Sequence, residues 1–395
     1  MTCHPSKCRK LIVSIIKGVN FLEVPLSLPI FKNWVRSLFG HISSHQVLSR
    51  LSLEEIFKVN HIGVWVNLKF AILRIMEDFE GELYCPNHKF ALTRIGDHLI
   101  CIDGHNFAIT QGIPRFTSEG YSSAFGYQWG VFSKTQFDSH TKSSITKKRA
   151  LEACGDYVWN KLRGSTVLEV GCGAGRFTEI LLNAGAKVYS TDLSLAVEVN
   201  QSNFPLSAQH KILQADVAHL PFKPKSFDIV FCLGVIQHTP DPEETIKHLS
   251  DQLAPGGWLV IDHYRYSLSW YLRTAPLART ILKRLPHEKA LIISQKVYFF
   301  AKPLFLISRN RLYRKVLNVI FPIVYFDREI PELSNEFKDQ WSILDTFDSL
   351  TDWHKHRRSV DQIAGLLKKL DLQEITCFEG GNGIVARGRK SLNNS

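Results

Sequence analysis

Three groups of residues in this 395-residue chain have the types and spacing that chemistry requires. The first lies in Val167-Leu-Glu-Val-Gly-Cys-Gly-Ala-Gly-Arg-Phe177, where Gly171, Gly173 and Gly175 follow a short apolar run at every second position. Glycine has no Cβ, so a strand that turns through glycines into a helix N-terminus lets backbone amides approach a ligand closely. A dinucleotide fingerprint needs Gly-x-Gly-x-x-Gly, and the residue that would close it here is Arg176. Glu169, two residues before the first glycine, is a poor neighbour for a pyrophosphate and suits a ligand with an ammonium group. The second group pairs Cys85-Pro-Asn-His88 with Cys101-Ile-Asp-Gly-His105, at the two ends of a strand–turn–strand pattern that turns at Gly96-Asp97. Four such ligands suit tetrahedral Zn2+, which supplies folding energy to a module too small for a core. Without metal, the same stretch reads as a plain hairpin. The third is His238, in Gly234-Val-Ile-Gln-His-Thr-Pro-Asp-Pro242. A neutral imidazole can take a proton from a hydroxyl or amine near pH 7, or it can simply hold its loop and line a pocket.

Alternating strand and helix patterns must position these residues. Apolar runs at 167–170, 187–191, 210–215, 227–233 and 257–263 read as strands, and helices are expected over 175–184, 194–202 and 242–253. That alternation predicts a doubly wound, Rossmann-like α/β sheet. After Tyr264 the pattern breaks, then returns as a helix at 360–370 and strands at 372–377 and 383–388, joined at Gly380-Gly381. The expected order is a helical extension over 1–80, a zinc-ribbon-like module over 81–117, and an aromatic segment with a lead-in helix over 118–165. The core over 166–264, a basic, mostly helical insertion over 265–350, and a completing segment over 351–395 come next. The insertion would sit beside the ligand-binding edge of the sheet.

The glycine turn and the strands and loops after it resemble class I S-adenosylmethionine-dependent methyltransferases, in the type 11-like domain. The likeness covers about Thr166 to Tyr264 and runs through Lys187-Val-Tyr-Ser-Thr-Asp192, Leu213-Gln-Ala-Asp-Val217, the stretch Leu220 to His238, and Pro255-Gly-Gly-Trp-Leu-Val-Ile261. It implies a seven-stranded sheet with an antiparallel closing strand. It also implies that Asp192 holds the ribose hydroxyls, that Asp216 faces the adenine, and that Glu169, the three glycines, Leu193, Val217, Leu233 and Gly234 line the rest of the cofactor site. The loop holding His238 lies at the methyl-transfer edge in such enzymes. Relatives also repeat the Leu-Asp-Thr-Phe-Asp phrase that ends at Asp348, which makes this acid a second candidate. The segment holding Cys85, His88, Cys101 and His105 looks like the one-zinc ribbon that precedes many methyltransferase domains, and it departs from the four-cysteine form by its two histidines. The aromatic stretch Phe125 to Asp138 resembles a cover over the cofactor; the alternative is that Phe125, Trp129 and Phe137 pack against the fold's first helix.

Composition narrows the partners. Lys7, Arg9 and Lys10 precede an apolar run, Leu11 to Ile16, that stops at Lys17 without a small-residue cleavage site, so a soluble, cytoplasmic chain is expected. No charge-free run approaches the roughly 18 residues of a spanning helix. Eight cysteines without short-range clustering fit a reducing compartment. Between Arg265 and Lys315 stand twelve Lys or Arg against one acid, Glu288, a surplus that matches the net +11 of the whole chain. Large apolar residues alternate with those cations, so residues 265–315 either meet a membrane surface or pack on the domain and solubilise it. The loop after the fourth core strand lacks Asn-Pro-Pro-Tyr, which weighs against nucleic-acid bases as acceptors. The expected activity is methyl transfer from S-adenosylmethionine to a small-molecule or lipid-like acceptor. An RNA methyltransferase and a non-catalytic S-adenosylmethionine-binding module are the alternatives.

Overall fold

The computed structural model describes residues 82–117, 120–308, 310–327 and 330–392; the helical extension expected over 1–80 lies outside them. Short runs with a glycine turn build a small antiparallel sheet from β1 (Thr93–Ile95), β2 (His98–Ile100), β3 (Asn106–Thr110) and β4 (Ile113–Pro114), in that order. Gly96, at φ +61°, makes the turn between β1 and β2. The expected hairpin is therefore the first half of a four-stranded sheet. That sheet is stitched to the next by Phe116 N, which donates to Gln214 O at 2.9 Å, and by Tyr84 N, which donates to Pro221 O at 2.8 Å.

Helices α1 (Ser123–Val131), α2 (Asp138–Thr141) and α3 (Ile145–Lys161) lead into the large sheet. The aromatic segment showed no clear period in sequence, yet α1 is a regular helix. Its aromatic residues face several partners: Tyr127 packs near Phe347, and Phe125 near His238. No single apolar stripe results.

The sheet holds β5 (Thr166–Val170), β6 (Lys187–Asp192), β7 (His210–Gln214), β8 (Phe227–Cys232), β9 (Leu253–His263), β10 (Leu372–Gly380) and β11 (Gly383–Lys390), in the order β10-β11-β9-β8-β5-β6-β7. Strands β5 to β9 are parallel, and β11 runs antiparallel between β9 and β10. This is the Rossmann-like α/β methyltransferase fold. Helices α4 (Arg176–Asn183), α5 (Ala196–Asn203), α6 (Pro242–Asp251) and, near the C-terminus, α12 (Val360–Lys369) cover it. Cover on both faces explains why β7 is buried along its whole length and β5 nearly so. Asp241 caps α6 by accepting from Glu244 N at 3.0 Å, with Pro242 in the first turn. Ser359 and Gln362 form a capping box at the start of α12. The order reverses at β5, whose neighbours are β6 and β8, so the switch point opens above the C-terminal ends of these three strands.

Between β9 and β10 the chain inserts α7 (Leu268–Tyr271), α8 (Ala275–Leu282), α9 (His287–Ile307), α10 (Arg311–Ile320) and α11 (Asn335–Thr351). Helices α9, α10 and α11 share a second apolar core around Tyr298, Phe305, Leu344 and Phe347, which also takes Phe132 from beyond the end of α1, while α8 packs through Ala275 and Leu282 on Leu350. The insertion begins and ends beside the switch point.

Candidate active site

The glycine turn crosses the end of β6. Gly171 N and Cys172 N both donate to Thr191 O, at 2.7 and 3.0 Å, and Gly173 N donates to Asp192 Oδ2 at 2.9 Å. The three glycines adopt φ of +74°, +51° and +106°, a region that L side chains avoid. Space is equally restrictive, since a Cβ on Gly171 would lie 2.1 Å from Val235 and one on Gly173 would lie 2.8 Å from the Trp129 indole nitrogen.

Asp192 also accepts from Ser194 N and Oγ, at 2.8 and 2.7 Å, and burial raises its carboxyl above the ordinary range. Its neighbour Leu193 accepts from Gln214 Nε2 at 2.9 Å. Asp216 accepts from Ala218 N at 2.9 Å and so fixes the turn that opens at Val217. Leu233 is buried, and Gly234 N donates to Asp262 Oδ1 at 2.6 Å. All of these positions gather at the C-terminal ends of β5 to β8. Tyr121 joins them unforeseen: burial, then the charges of Asp216 and Asp192, push its phenol up to about 12. Nothing local in the sequence marks this tyrosine, since chain folding alone brings it to the two acids.

Glu169 is more tightly committed than the sequence implied. One carboxylate oxygen accepts from Thr178 Oγ1 at 2.6 Å and Ser190 Oγ at 2.8 Å, which ties α4 to β6. The other oxygen is buried and has no partner among the described residues. Burial pushes this carboxyl up to about 7 from an ordinary 4.5. A raised carboxyl weakens the fold as pH climbs through that window, because ionisation is penalised only in the folded state. Glu169→Gln is therefore expected to stabilise the ligand-free protein by about 1–3 kcal/mol at pH 8, with the gain vanishing at and below pH 4.5. Denaturant melts across pH check this, and identical curves at pH 8 would contradict it.

His238 ends a 3-10 turn, Ile236–His238, that comes after β8. Its Nδ1 lies 2.9 Å from Asp352 Oδ2 and 3.3 Å from His354 O, and its ring meets Phe125 and Tyr264 edge-on at 5.3 Å each. Its Nε2 has no partner among the described residues. Asp352 stands just beyond α11 and also meets Arg279 at 2.7 Å and Lys355 at 2.9 Å. Burial alone would raise this carboxyl, but Lys355, His238 and Arg279 outweigh it and hold Asp352 well below the usual range. Asp348 lies in the same cluster, with one buried oxygen unpartnered among the described residues, and burial raises its carboxyl. One turn earlier, burial and then Asp348 push Asp345 up to about 7. The structure thus brings His238 and Asp348 together, as the two candidates of the sequence. It adds Asp352, Arg279, Lys355 and Tyr264, which lie far from His238 in the chain and form no motif with it.

The aromatic segment divides its labour. Trp129 lies over the glycine turn and Phe125 over His238, whereas Phe137 packs on Phe204 at 5.6 Å, just past α5.

In the small sheet, Cys85 Sγ is 3.4 Å from His105 Nδ1, and Cys101 Sγ is 3.9 Å from His88 Nδ1. One ligand atom from each of the four residues lies within 4.8 Å of the other three. Tetrahedral Zn2+ with bonds of about 2.3 Å to sulfur and 2.0 Å to nitrogen separates its ligands by roughly 3.3–3.8 Å; the Cys85–His105 and Cys101–His88 pairs stand close to that spacing, and two thiols with two imidazoles are a donor set that zinc takes. Asp103 lies 2.9 Å from His88 Nδ1, the same ring nitrogen that faces Cys101.

The sheet order and the site at its switch point can be set beside known proteins. Residues 168–261 match the family described as a methyltransferase domain. Over 140 residues the chain is 31% identical to the ubiquinone biosynthesis O-methyltransferase of Leptothrix cholodnii, covering 34% of this chain and 60% of that protein. Over 132 residues it is 33% identical to the enzyme of the same name from Thiobacillus denitrificans, covering 32% and 55%. The chain thus spans little more than half the length of these curated relatives. Among solved structures, the magnesium protoporphyrin IX methyltransferase of Synechocystis with bound SAH is 17% identical and covers 64% of this chain and 84% of that one. Its TM-score is 0.33.

Proposed function

We propose that this chain is an S-adenosylmethionine-dependent methyltransferase that methylates a hydroxyl oxygen of a small, amphiphilic acceptor. The observation that carries this reading is the His238–Asp352 pair, 2.9 Å apart, beside the glycine turn at the switch point. The relatives' names support oxygen as the methylated atom. The amides of Gly171 to Gly175 and the carboxylates of Asp192 and Asp216 would hold the cofactor, and the spare oxygen of Glu169 would meet its ammonium. When bound, the cofactor supplies a methyl already activated on a sulfonium, so the chain need only align an acceptor and remove its proton. His238 Nε2 takes that proton, while Asp352 holds the imidazole through Nδ1 and stabilises the cation that forms. Phe125 and Trp129 keep water from the reacting centre. In this reading residues 265–315 meet a lipid surface from which the acceptor enters.

Incubating the protein with methyl-labelled S-adenosylmethionine and fractionated cell extract tests the assignment. Label is expected in the lipid or small-molecule fraction as an O-methyl ether. Label in RNA would overturn the acceptor class, and no label despite saturable cofactor binding would reduce the chain to a binding module.

We also infer one structural Zn2+ per chain on Cys85, His88, Cys101 and His105, because four protein ligands leave no open position for catalysis. Elemental analysis of protein purified without chelators is expected to find one zinc. Cys101→Ala should lose it and loosen the small sheet while cofactor binding persists. Metal-free wild-type protein would contradict the site.

A further inference from the structure

We propose that the insertion lays a single face, carried by α8, α9 and α10, on an anionic lipid bilayer. α10 is reversed relative to a helix of a soluble domain. At 100° per residue Leu312, Tyr313, Val316, Val319 and Ile320 fall within an arc of about 120°. All five are exposed, Leu312 at 69%, and of the helix's apolar residues Leu317 alone is buried. Here the apolar side of the helix faces outward.

α9 is apolar on two sides. Ala290, Leu291, Tyr298, Ala301 and Phe305 form an inner stripe that packs in the core with Leu344 and Phe347. Ile292, Ile293, Phe299, Phe300, Leu306 and Ile307 repeat at the same helical spacing on the other side, and all are exposed, Phe300 and Ile307 at 73%. By length and composition α9 could cross a bilayer. The inner stripe argues for lying on one instead, since Tyr298 OH donates to Asp339 at 2.7 Å and Lys302 pairs with the same acid at 2.6 Å. On α8, Leu277 and Ile281 are exposed at 71% and 60%. The three helices adjoin. Thr274, at the start of α8, donates through N and Oγ1 to the carbonyls of Val319 and Ile320, at 2.9 and 2.8 Å, and Phe300 lies 6.2 Å from Phe321, just past α10.

Charge selects the occupant. Arg273, Arg284, Lys289, Lys296, Arg311 and Lys315 are exposed, and none pairs with a described acid. Lys296 stands inside the outer stripe of α9, and Lys315 and Arg311 follow one another beside one edge of the apolar arc of α10. Long basic side chains can lie along apolar surface and reach phosphates beyond it, whereas the cores of protein–protein interfaces are depleted of lysine. That pattern fits an anionic bilayer better than a second protein. The face is also coupled to the candidate site: Arg279 leaves α8 on the side away from Leu277 and Ile281 and meets Asp352 at 2.7 Å. Docking stands on this surface alone, while its use for admitting an amphiphilic acceptor rests on the proposed methyl transfer.

Flotation of the full chain, without cofactor, compares vesicles of phosphatidylcholine alone with vesicles that also contain phosphatidylglycerol. Binding is expected only to the anionic vesicles and is expected to fall as salt rises. Leu312→Glu with Val316→Glu should weaken it about tenfold or more while leaving the thermal melt and S-adenosylmethionine affinity unchanged. Arg311→Glu with Lys315→Glu, at two exposed positions, should do the same. Equal binding to both vesicle types, or binding that survives both double substitutions, would overturn the proposal. So would a dimer in solution that these substitutions dissolve, because a second copy would then cover the face. Because no cofactor is present, failed docking leaves methyl transfer standing, and failed methyl transfer leaves docking standing.

Discussion

His238→Asn is expected to slow methyl transfer by about 10²–10⁴-fold while cofactor affinity changes by no more than about twofold. The imidazole is the only described group near the glycine turn with a ring nitrogen free of partners and its other nitrogen held by a buried acid, 2.9 Å away. Asparagine keeps a polar group near Asp352 but cannot take a proton at the Nε2 position. A loss confined to turnover, with little change in acceptor KM, marks a base rather than a pocket wall. Steady-state kinetics with the acceptor from the labelling experiment separates these outcomes. Turnover like that of the wild type would leave His238 as a loop-holding residue only.

Asp352→Asn is expected to remove about 3–5 kcal/mol of stability at pH 7. Its carboxylate is the acid on which Arg279, Lys355 and His238 converge, and its side chain is fully buried. An amide would leave two cations without a counter-charge in the interior, which costs more than the pair itself contributes. The pH dependence comes from the depressed carboxyl. Such a group stabilises the fold above its unfolded pKa of about 3.9, and that stability is lost as pH falls through the lower folded value. The gap between wild type and variant should therefore be full at pH 7 and narrow only in acid. Denaturant unfolding at both pH values measures it, and a variant as stable as wild type at pH 7 would contradict the network.

Much of the cofactor side of this site is legible in sequence because it is local. A strand, a glycine turn and a helix start are contiguous, and each later acid falls at the end of its own strand, so Asp192 and Asp216 can be placed by counting. The alternation gives a doubly wound α/β sheet, and the resemblance supplies its seven strands and antiparallel closing strand. The cluster around His238 is not legible in this way. Asp352, Arg279 and Lys355 come from the end of α11, from α8 and from a loop, and only packing of the insertion on the sheet brings them to His238. Glu169 shows the limit of a motif, since its position is readable but its ties to Thr178 and Ser190 need the neighbouring strand and helix in place. Helix α1 is not legible in sequence for a related reason: its aromatic residues serve several partners at once and leave no single-faced period. The basic segment could be read as packed or membrane-facing, and the sequence does not distinguish two apolar stripes on α9 from one buried helix. Side-chain exposure separates them.

Calorimetric titration of the purified chain with S-adenosylmethionine tests the central claim most directly. One saturable site per chain is expected, weakened by about 1.5–3 kcal/mol in Asp192→Ala through lost charge-assisted hydrogen bonds to the ribose, with no response to NAD. Saturable NAD binding with no response to S-adenosylmethionine would contradict it.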